Sequence, residues 1–329
     1  MKTRKIYWML FLFVGLVFTS CSGDSLDSQS VITETSSSPN ELDFWLVKNY
    51  VQTYNVDFKY RIDNRENNYS YSLTPVTYER GVAFAKILMH TWLKTYDEVK
   101  GQEFTQTYIP KNIVCIGSKQ GNTVGEAEGG VKITFFNLNE RINLDNLTVE
   151  SLTGKTDTTG NGNEESASLK TAFHEFSHIL HQNKALPEDF SLVSDKDYVG
   201  GDWDTFYKNP IDAWSKGIIS KYAGSSPNED FAEMIALYVT RGPAMWSAVL
   251  KKADQQTDKL LDALRLAGVT DATVLAKIEA DRPSIKLTTK MSKIRSYLKN
   301  SWNIELDEMQ AIFYRRVNEL PEMDLTNLD

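Results

Sequence analysis

Apolar side chains recur at helical spacing along much of the chain. A helix is predicted over residues 42–51, and a longer one over 75–99 has a broad apolar face. The stretches 169–183 and 228–238 show the same periodicity, and from Pro243 onward most of the chain is predicted to be helical. The apolar rows behind these predictions include Phe84, Ile87, Leu88 and Trp92, then Leu260, Leu261, Leu264 and Leu266, and finally Met309, Ile312, Phe313 and Val317.

Three short segments are predicted to be β-strands. Residues 54–62 alternate between apolar and polar positions, and apolar runs occupy 113–116 and 130–136. The glycine-rich linker 117–130 lacks the spacing of a phosphate-binding loop, and we expect a hairpin or a mobile loop there. A second glycine-rich stretch, 153–166, is also predicted to be a loop. The pattern as a whole predicts an α+β fold that is mainly helical, with a small mixed sheet.

Residues 1–20 have the pattern of a secretory signal, in which basic residues precede the apolar run 6–18. This run is shorter than the ~20 apolar residues that span a membrane. It ends at Cys21 in a pattern that resembles a bacterial lipobox, so lipidation of Cys21 is predicted; an uncleaved anchor helix is the alternative. Residues 21–41 are polar and are predicted to be a flexible tether, which leaves 42–329 as the folded domain.

Charge and cysteine content exclude some classes of function. The chain has 36 Lys and Arg against 44 Asp and Glu, and its net charge of −8 argues against a nucleic-acid partner. Only 2 cysteines are present, which excludes a disulfide scaffold. Cys115 lies in a strand-like run, and we expect it to be a buried, inert thiol.

The histidines are placed unevenly along the sequence. His174-Glu175-x-x-His178 falls in the predicted helix 169–183. Residues four apart share one face of a helix, so the two imidazoles can bind one metal ion. Zinc held by three protein ligands keeps a position for water, and Glu175 beside it can act as general base. A solvated helix carrying two histidines is the alternative; His90 has no ligand partner at helical spacing and is set aside.

A third metal ligand must come from another part of the chain. The metzincin pattern needs glycine at 181 and histidine at 184, whereas the chain has His181 and Lys184, so that class is excluded. In the predicted helix 228–238, Glu229 and Glu233 share one face. Glu229 is predicted to bind the metal and Glu233 to accept the free ring N–H of a ligand histidine, although the roles could be reversed. Two acids on a solvated face are the alternative.

The motif and the residues after it resemble those of known metallopeptidases. His174 to His178, Tyr222-Ala223 and Glu229 to Glu233 are similar to the gluzincin arrangement of the anthrax lethal factor-like metallopeptidases. The mature chain more closely resembles the putative zinc-binding metallopeptidases described as substrate-import-associated zinc metallohydrolase lipoproteins. The resemblance implies that Tyr222 stabilises the oxyanion; an ordinary helix-end tyrosine is the alternative. His181, on the same face as His174, is expected to line the pocket or to support a ligand.

These observations predict a gluzincin-like zinc metallopeptidase domain with one zinc ion, acting on peptide or glycopeptide substrates. The resemblance implies an outer-membrane lipoprotein associated with a nutrient importer. Residues 22–27 resemble the acidic signal of surface-exposed bacterial lipoproteins, which implies exposure at the cell surface; a plain polar linker is the alternative, and a periplasmic orientation also stays open. An amidase acting on another amide remains open. So does a non-catalytic, substrate-binding lipoprotein whose zinc site is structural or vestigial.

Overall fold

The computed structural model of the protein describes most of the chain after residue 37. The predicted signal segment, Cys21 and nearly all of the predicted tether lie outside the described residues, as do positions 157–166 of the second predicted loop. The elements below belong to the compact unit Asn40–Asp329. The described residues are 38–62, 70–121, 123–156 and 167–328.

Helices account for most of the described residues, as the apolar periodicity predicts. None of the described helices is both long and apolar enough to cross a bilayer. The α-helices are α1 (Glu41–Leu46), α2 (Gln52–Tyr54), α3 (Tyr78–Leu88), α4 (Lys94–Lys100), α5 (Gln102–Tyr108), α6 (Leu138–Arg141), α7 (Val149–Thr153), α8 (Ser168–Asn183), α9 (Glu188–Ser191), α10 (Trp203–Phe206), α11 (Pro210–Trp214), α12 (Pro227–Ala253), α13 (Gln255–Leu266), α14 (Ala272–Ala280), α15 (Pro283–Tyr297) and α16 (Leu306–Glu319). Turns of π-helix occupy Val47–Val51, Met89–Leu93 and Leu298–Trp302, and 3₁₀ turns occupy Leu192–Asp197, Gly200–Asp202, Tyr222–Ser225 and Leu320–Glu322.

A small mixed sheet confirms the predicted α+β class. Its four strands are β1 (Asp57–Lys59), β2 (Asn112–Cys115), β3 (Gly125–Glu128) and β4 (Lys132–Phe135), in the order β1-β2-β4-β3. The first three strands in that order are parallel, and β3 runs antiparallel to β4. The strand β3 therefore forms one edge of the sheet.

The predicted connection between the second and third strand segments is wrong in one respect. No hairpin joins 113–116 to 130–136, because β2 and β4 are parallel. The linker 117–130 instead contains β3, which forms a hairpin with β4. The sequence of β3 is Gly-Glu-Ala-Glu, and alternate residues of the strand are exposed. Small and charged residues on an edge strand leave no apolar alternation by which the strand could be recognised.

The first predicted strand is shorter than its pattern indicates. Helix α2 extends to Tyr54, and Asn55 ends it in the left-handed conformation with a φ of 54°. Only the three residues of β1 then pair with β2. The alternating side chains Val56, Phe58 and Tyr60 are nevertheless buried. The apolar alternation therefore predicts the burial of these side chains correctly, but it overestimates the length of the strand.

Helix α8 is fixed by aromatic packing on its buried side. The ring of Phe173 packs edge-on against Phe313 of α16 at 5.2 Å between centroids. The ring of Phe176 lies 4.3 Å from that of Tyr96 in α4 and 6.2 Å from that of Trp92. All five side chains are fully buried. The histidines lie on another face of α8, which is turned toward the start of α12.

Helix α12 begins with a cap and continues through Pro243. The side chain of Ser226 accepts a hydrogen bond from the backbone N–H of Glu229, and Pro227 occupies the first turn. The helix kinks at Gly242, whose φ of 74° favours glycine. A Cβ atom there would lie 2.6 Å from the hydroxyl oxygen of Tyr314. Two constraints therefore favour glycine at the kink: the positive φ, and the close packing of α16 against this position.

The predicted apolar rows differ in their burial. The rows that begin at Phe84 and at Met309 are buried, as their spacing indicates. In α13 only Leu261 of the predicted row is buried, whereas Leu260 is about half exposed and Leu266 is 91% exposed. Helical periodicity identifies α13 correctly but does not place its apolar side against the core.

Candidate metal centre

Helix α8 brings two ring nitrogens together. His174 is buried and His178 is half-buried. Their rings are edge-to-face at 4.7 Å between centroids, and their Nε2 atoms lie 3.1 Å apart. This is the shared helical face that the four-residue spacing predicts.

Glu229, in the first turn of α12, completes a triangle of donor atoms. Its Oε2 lies 3.1 Å from Nε2 of His174 and 3.1 Å from Nε2 of His178. Ligands about 2.0–2.1 Å from a tetrahedral zinc ion are about 3.3–3.4 Å from one another. The three donors therefore fit a single zinc ion after shifts of a few tenths of an ångström. Two imidazoles and a carboxylate are also a donor set that leaves a fourth position open.

Electrostatics within this triangle keep the carboxylate ionised. Burial opposes the charged form of Glu229, but contacts with His174 and His178 outweigh it and lower the pKa of Glu229 to about 2. Burial likewise opposes protonation of His174, but the carboxylates of Glu229 and Glu233 outweigh it and raise the pKa of His174 to about 9. A metal ion would have to displace that ring proton, so binding would release protons.

Glu175 lies beside the triangle on the same helix. Its carboxylate belongs to a group with the ring nitrogens of His174 and His178 whose atoms all lie within 4.8 Å of one another. Burial raises the pKa of Glu175, and the neighbouring histidines only partly counteract this effect. A carboxylate whose pKa is raised toward neutrality is a better proton acceptor than an ordinary surface glutamate.

Glu233 lies behind the ring of His174. Its Oε1 is 2.7 Å from Nδ1 of His174, although the oxygen lies off the axis along which that N–H would donate. The same oxygen accepts from Nζ of Lys170, and Oε2 accepts a 2.8 Å hydrogen bond from Ser220. Of the two possible orders for the paired carboxylates, the geometry places Glu229 at the Nε2 atoms and Glu233 at the far ring nitrogen.

His181 lies behind the other candidate ligand ring. Its Nε2 is 2.8 Å from Nδ1 of His178, and it is not part of the donor triangle. Burial and the charge of His178 lower the pKa of His181 to about 4, so its ring is neutral at pH 7. A neutral Nε2 can accept the N–H of His178, which corresponds to the supporting position expected for His181.

Tyr222 lies on the rim of the same cleft. It begins the 3₁₀ turn before α12, and its side chain is 40% exposed. Its ring is 5.9 Å from that of His174 and 5.3 Å from that of Trp203. Burial, together with the charges of Glu229 and Glu233, raises the pKa of Tyr222. Its phenol therefore stays protonated at neutral pH and can donate a hydrogen bond.

The triangle opens into a cleft of about 1000 Å³. The edge strand β3 lines one side, and α8 with the start of α12 lines another. Trp203 and Tyr222 supply an aromatic rim. A cleft of this size is at the large end of pockets for small ligands and can hold several residues of an extended chain.

Sequence reasoning did not identify Lys170 or Ser220, although both contact Glu233. A signal for Lys170 does exist: it precedes His174 by four residues, the spacing that links His174 to His178. Ser220 has no such signal, because it reaches the site from a different part of the chain.

His90 and Cys115, which were not predicted to belong to the site, lie elsewhere in the fold. Nε2 of His90 contacts Glu319 at 2.8 Å. Cys115 is fully buried, and burial raises the pKa of its thiol.

Comparisons with known proteins identify a family and a similar solved structure. Residues 35–307 match the family described as "Putative zinc-binding metallo-peptidase". The crystal structure of a putative zinc-binding metallo-peptidase from Bacteroides caccae ATCC 43185 is similar to the chain, with a TM-score of 0.68 and 30% sequence identity, covering 89% of this chain and 99% of that one. No curated protein matches the chain. The family match extends over most of the sequence, and the chain therefore belongs to the family of putative zinc-binding metallo-peptidases.

Proposed function

We propose that the protein is a zinc-dependent hydrolase that cleaves peptide bonds in peptide or glycopeptide substrates. The observation that carries this proposal is the donor triangle of His174, His178 and Glu229, with separations of 3.1 Å and with Glu175 beside it. These three residues would hold one zinc ion. When bound, zinc would supply Lewis acidity that polarises the scissile carbonyl and acidifies a water molecule.

The side chains around the triangle would divide the remaining work. Glu175 would take a proton from the attacking water and pass it to the leaving nitrogen. Glu233 and His181 would hold the orientation of the rings of His174 and His178 through their Nδ1 atoms. The phenol of Tyr222 would donate a hydrogen bond to the oxygen that becomes negatively charged in the transition state.

The edge strand β3 supports a peptide as the substrate. It pairs with β4 on one side, and its residues Gly125 to Ala127 line the cleft. An edge strand offers backbone N–H and C=O groups to an extended chain, which can add to the sheet as a further strand. This mode of binding recognises the peptide backbone and leaves room for modified side chains, including glycosylated ones.

We also propose that the protein is an outer-membrane lipoprotein exposed at the cell surface, as the N-terminal pattern and the family resemblance imply. Association with a nutrient importer rests on the resemblance alone. Recovery of an importer with the protein after crosslinking of intact cells would support that association, and its repeated absence would count against it.

Removal of a proposed zinc ligand should abolish tight zinc binding. We expect His178→Ala and Glu229→Ala each to lower zinc affinity by more than about 100-fold, because only two of the three protein ligands remain. This loss should exceed the ~10–100-fold that removal of a residue hydrogen-bonded to a ligand costs. Competition with a chromophoric chelator measures the affinity. His90→Ala is the matched control and should bind zinc as the wild type does. Unchanged affinity in both ligand variants would exclude this triangle as the zinc site.

Substitution of the proposed general base should separate catalysis from metal binding. Glu175→Gln keeps the shape of the side chain and removes its basicity, so kcat should fall by about 10²–10⁴-fold while zinc stays bound. The control is Glu103→Gln, at an exposed position on α5. Full activity in Glu175→Gln would overturn the assignment. Zinc binding without cleavage of any peptide or glycopeptide by the wild type would favour a non-catalytic binding protein.

Loss of the Tyr222 hydroxyl should affect the transition state more than substrate binding. We expect Tyr222→Phe to lower kcat by about 10²–10³-fold with little change in KM, because the hydrogen bond forms mainly to developing charge. Steady-state kinetics measure both constants, and Tyr71→Phe, at an exposed position, is the control. A kcat within twofold of the wild-type value would make Tyr222 an ordinary rim residue.

The lipid anchor can be tested through the two cysteines. Cys21→Ser should lose metabolic labelling with a fatty acid and move from the membrane fraction to the soluble fraction. Cys115→Ser should keep both the label and the membrane location, since Cys115 is buried in β2. Labelling that persists in Cys21→Ser would rule out this anchor. Protease added to intact cells then distinguishes surface exposure from a periplasmic orientation.

A further inference from the structure

We propose that Lys170 is a positioning residue of the metal centre, which acts by holding the carboxylate of Glu233 against the ring of His174. This inference rests on the proposed function, because it assigns Lys170 a role toward the same zinc ion. The residue lines the cleft but does not belong to the donor triangle. Its effect on zinc would therefore pass through Glu233 and His174.

The contacts meet at a single oxygen atom. Lys170 lies one helical turn before His174 on α8, so both side chains point to the same side of the helix. Nζ of Lys170 donates to Oε1 of Glu233, which reaches this point from α12. The same Oε1 lies 2.7 Å from Nδ1 of His174. A change in the lysine contact would therefore move or reorient the oxygen that faces the ring.

Because the three side chains are buried, loss of any one of these contacts would destabilise the folded protein. The exposed fractions of the side chains are 9% for Lys170, 1% for Glu233 and 7% for His174. A buried ammonium or carboxylate without a partner is strongly destabilising. The hydroxyl of Ser220 donates to Oε2 of Glu233, but it brings no charge. Among the described contacts of Glu233, Lys170 is the side chain that brings an ammonium group.

A single carboxylate links Lys170 to the metal. Zinc would bind His174 through Nε2, and Nδ1 of the same ring lies 2.7 Å from Oε1 of Glu233. Lys170 donates to that oxygen and gives the buried carboxylate a cationic partner. Glu233 can then remain a carboxylate directed at Nδ1, where it fixes the orientation of the ring.

A second cleft lysine provides a matched control. Lys221 also lines the cleft, and its Nζ pairs with Oδ1 of Asp204 at 2.7 Å. Lys221→Met removes the same charge from the same cleft as Lys170→Met, but leaves the contacts of Glu233 in place. A general electrostatic effect on zinc would appear in both variants, whereas a positioning effect would appear only in Lys170→Met.

The experiment measures zinc affinity of the purified protein by chelator competition, with circular dichroism as the check on folding. We expect Lys170→Met to lower zinc affinity by about 10-fold, the lower end of the range for outer-sphere partners. Lys170→Arg should recover most of this loss, and Lys221→Met should match the wild type. Wild-type affinity in Lys170→Met, or an equal loss in Lys221→Met, would overturn the proposal.

A double-mutant cycle keeps the test decisive if Lys170→Met alone fails to fold. Glu233→Gln keeps a side-chain oxygen that can accept from Lys170, and the combined Lys170→Met/Glu233→Gln variant removes the ammonium as well, so neither variant leaves a buried charge without a partner. If Lys170 acts only through Glu233, these two variants should bind zinc equally well, within about threefold. A larger difference would overturn the proposed route. Failure of the wild type to bind zinc would instead refute the proposed function, so the two failures are distinguishable.

Discussion

The candidate metal centre depends on the close approach of two helices that are distant in sequence. The rings of His174 and His178 come from α8 and the carboxylate of Glu229 from α12, yet all three donor atoms lie 3.1 Å apart. Such a triangle tolerates little relative movement of the helices, since zinc–ligand distances are nearly fixed. The contact of Phe231 with the ring of His181, at 5.8 Å between centroids, adds an apolar anchor beside it. Packing in the rest of the core holds α8 and α12 at this separation.

The electrostatic environment distinguishes three glutamates that have the same intrinsic chemistry. Contacts with two histidines lower the pKa of Glu229 to about 2 despite its burial. Burial acts in the opposite direction on Glu175, whose pKa is raised. Burial also opposes ionisation of Glu233, but Lys170 and His174 outweigh it and lower its pKa. Groups whose pKa values are driven apart in this way are suited to separate tasks as ligand, base and support.

The surroundings of the site combine a regular element with irregular ones. The edge strand β3 lines the cleft on one side, and the aromatic rim of Trp203 and Tyr222 comes from short helical turns. A sheet edge suits recognition of a peptide backbone, whereas rings on turns can adapt to side chains. The cleft bordered by these elements has a volume of about 1000 Å³.

The sequence by itself determined the features that depend on local periodicity. The helical spacing of His174 and His178 placed their rings on one face of α8 with Glu175 beside them, and the mainly helical fold followed from similar patterns. The tertiary structure decided the rest: the edge position of β3, the relation of Glu229 and Glu233 to different nitrogens of His174, and the contact of Lys170 with Glu233. Periodicity is a property of neighbouring residues along one element. Distances between α8, α12 and β3 are set instead by packing among all the elements, which no local pattern records.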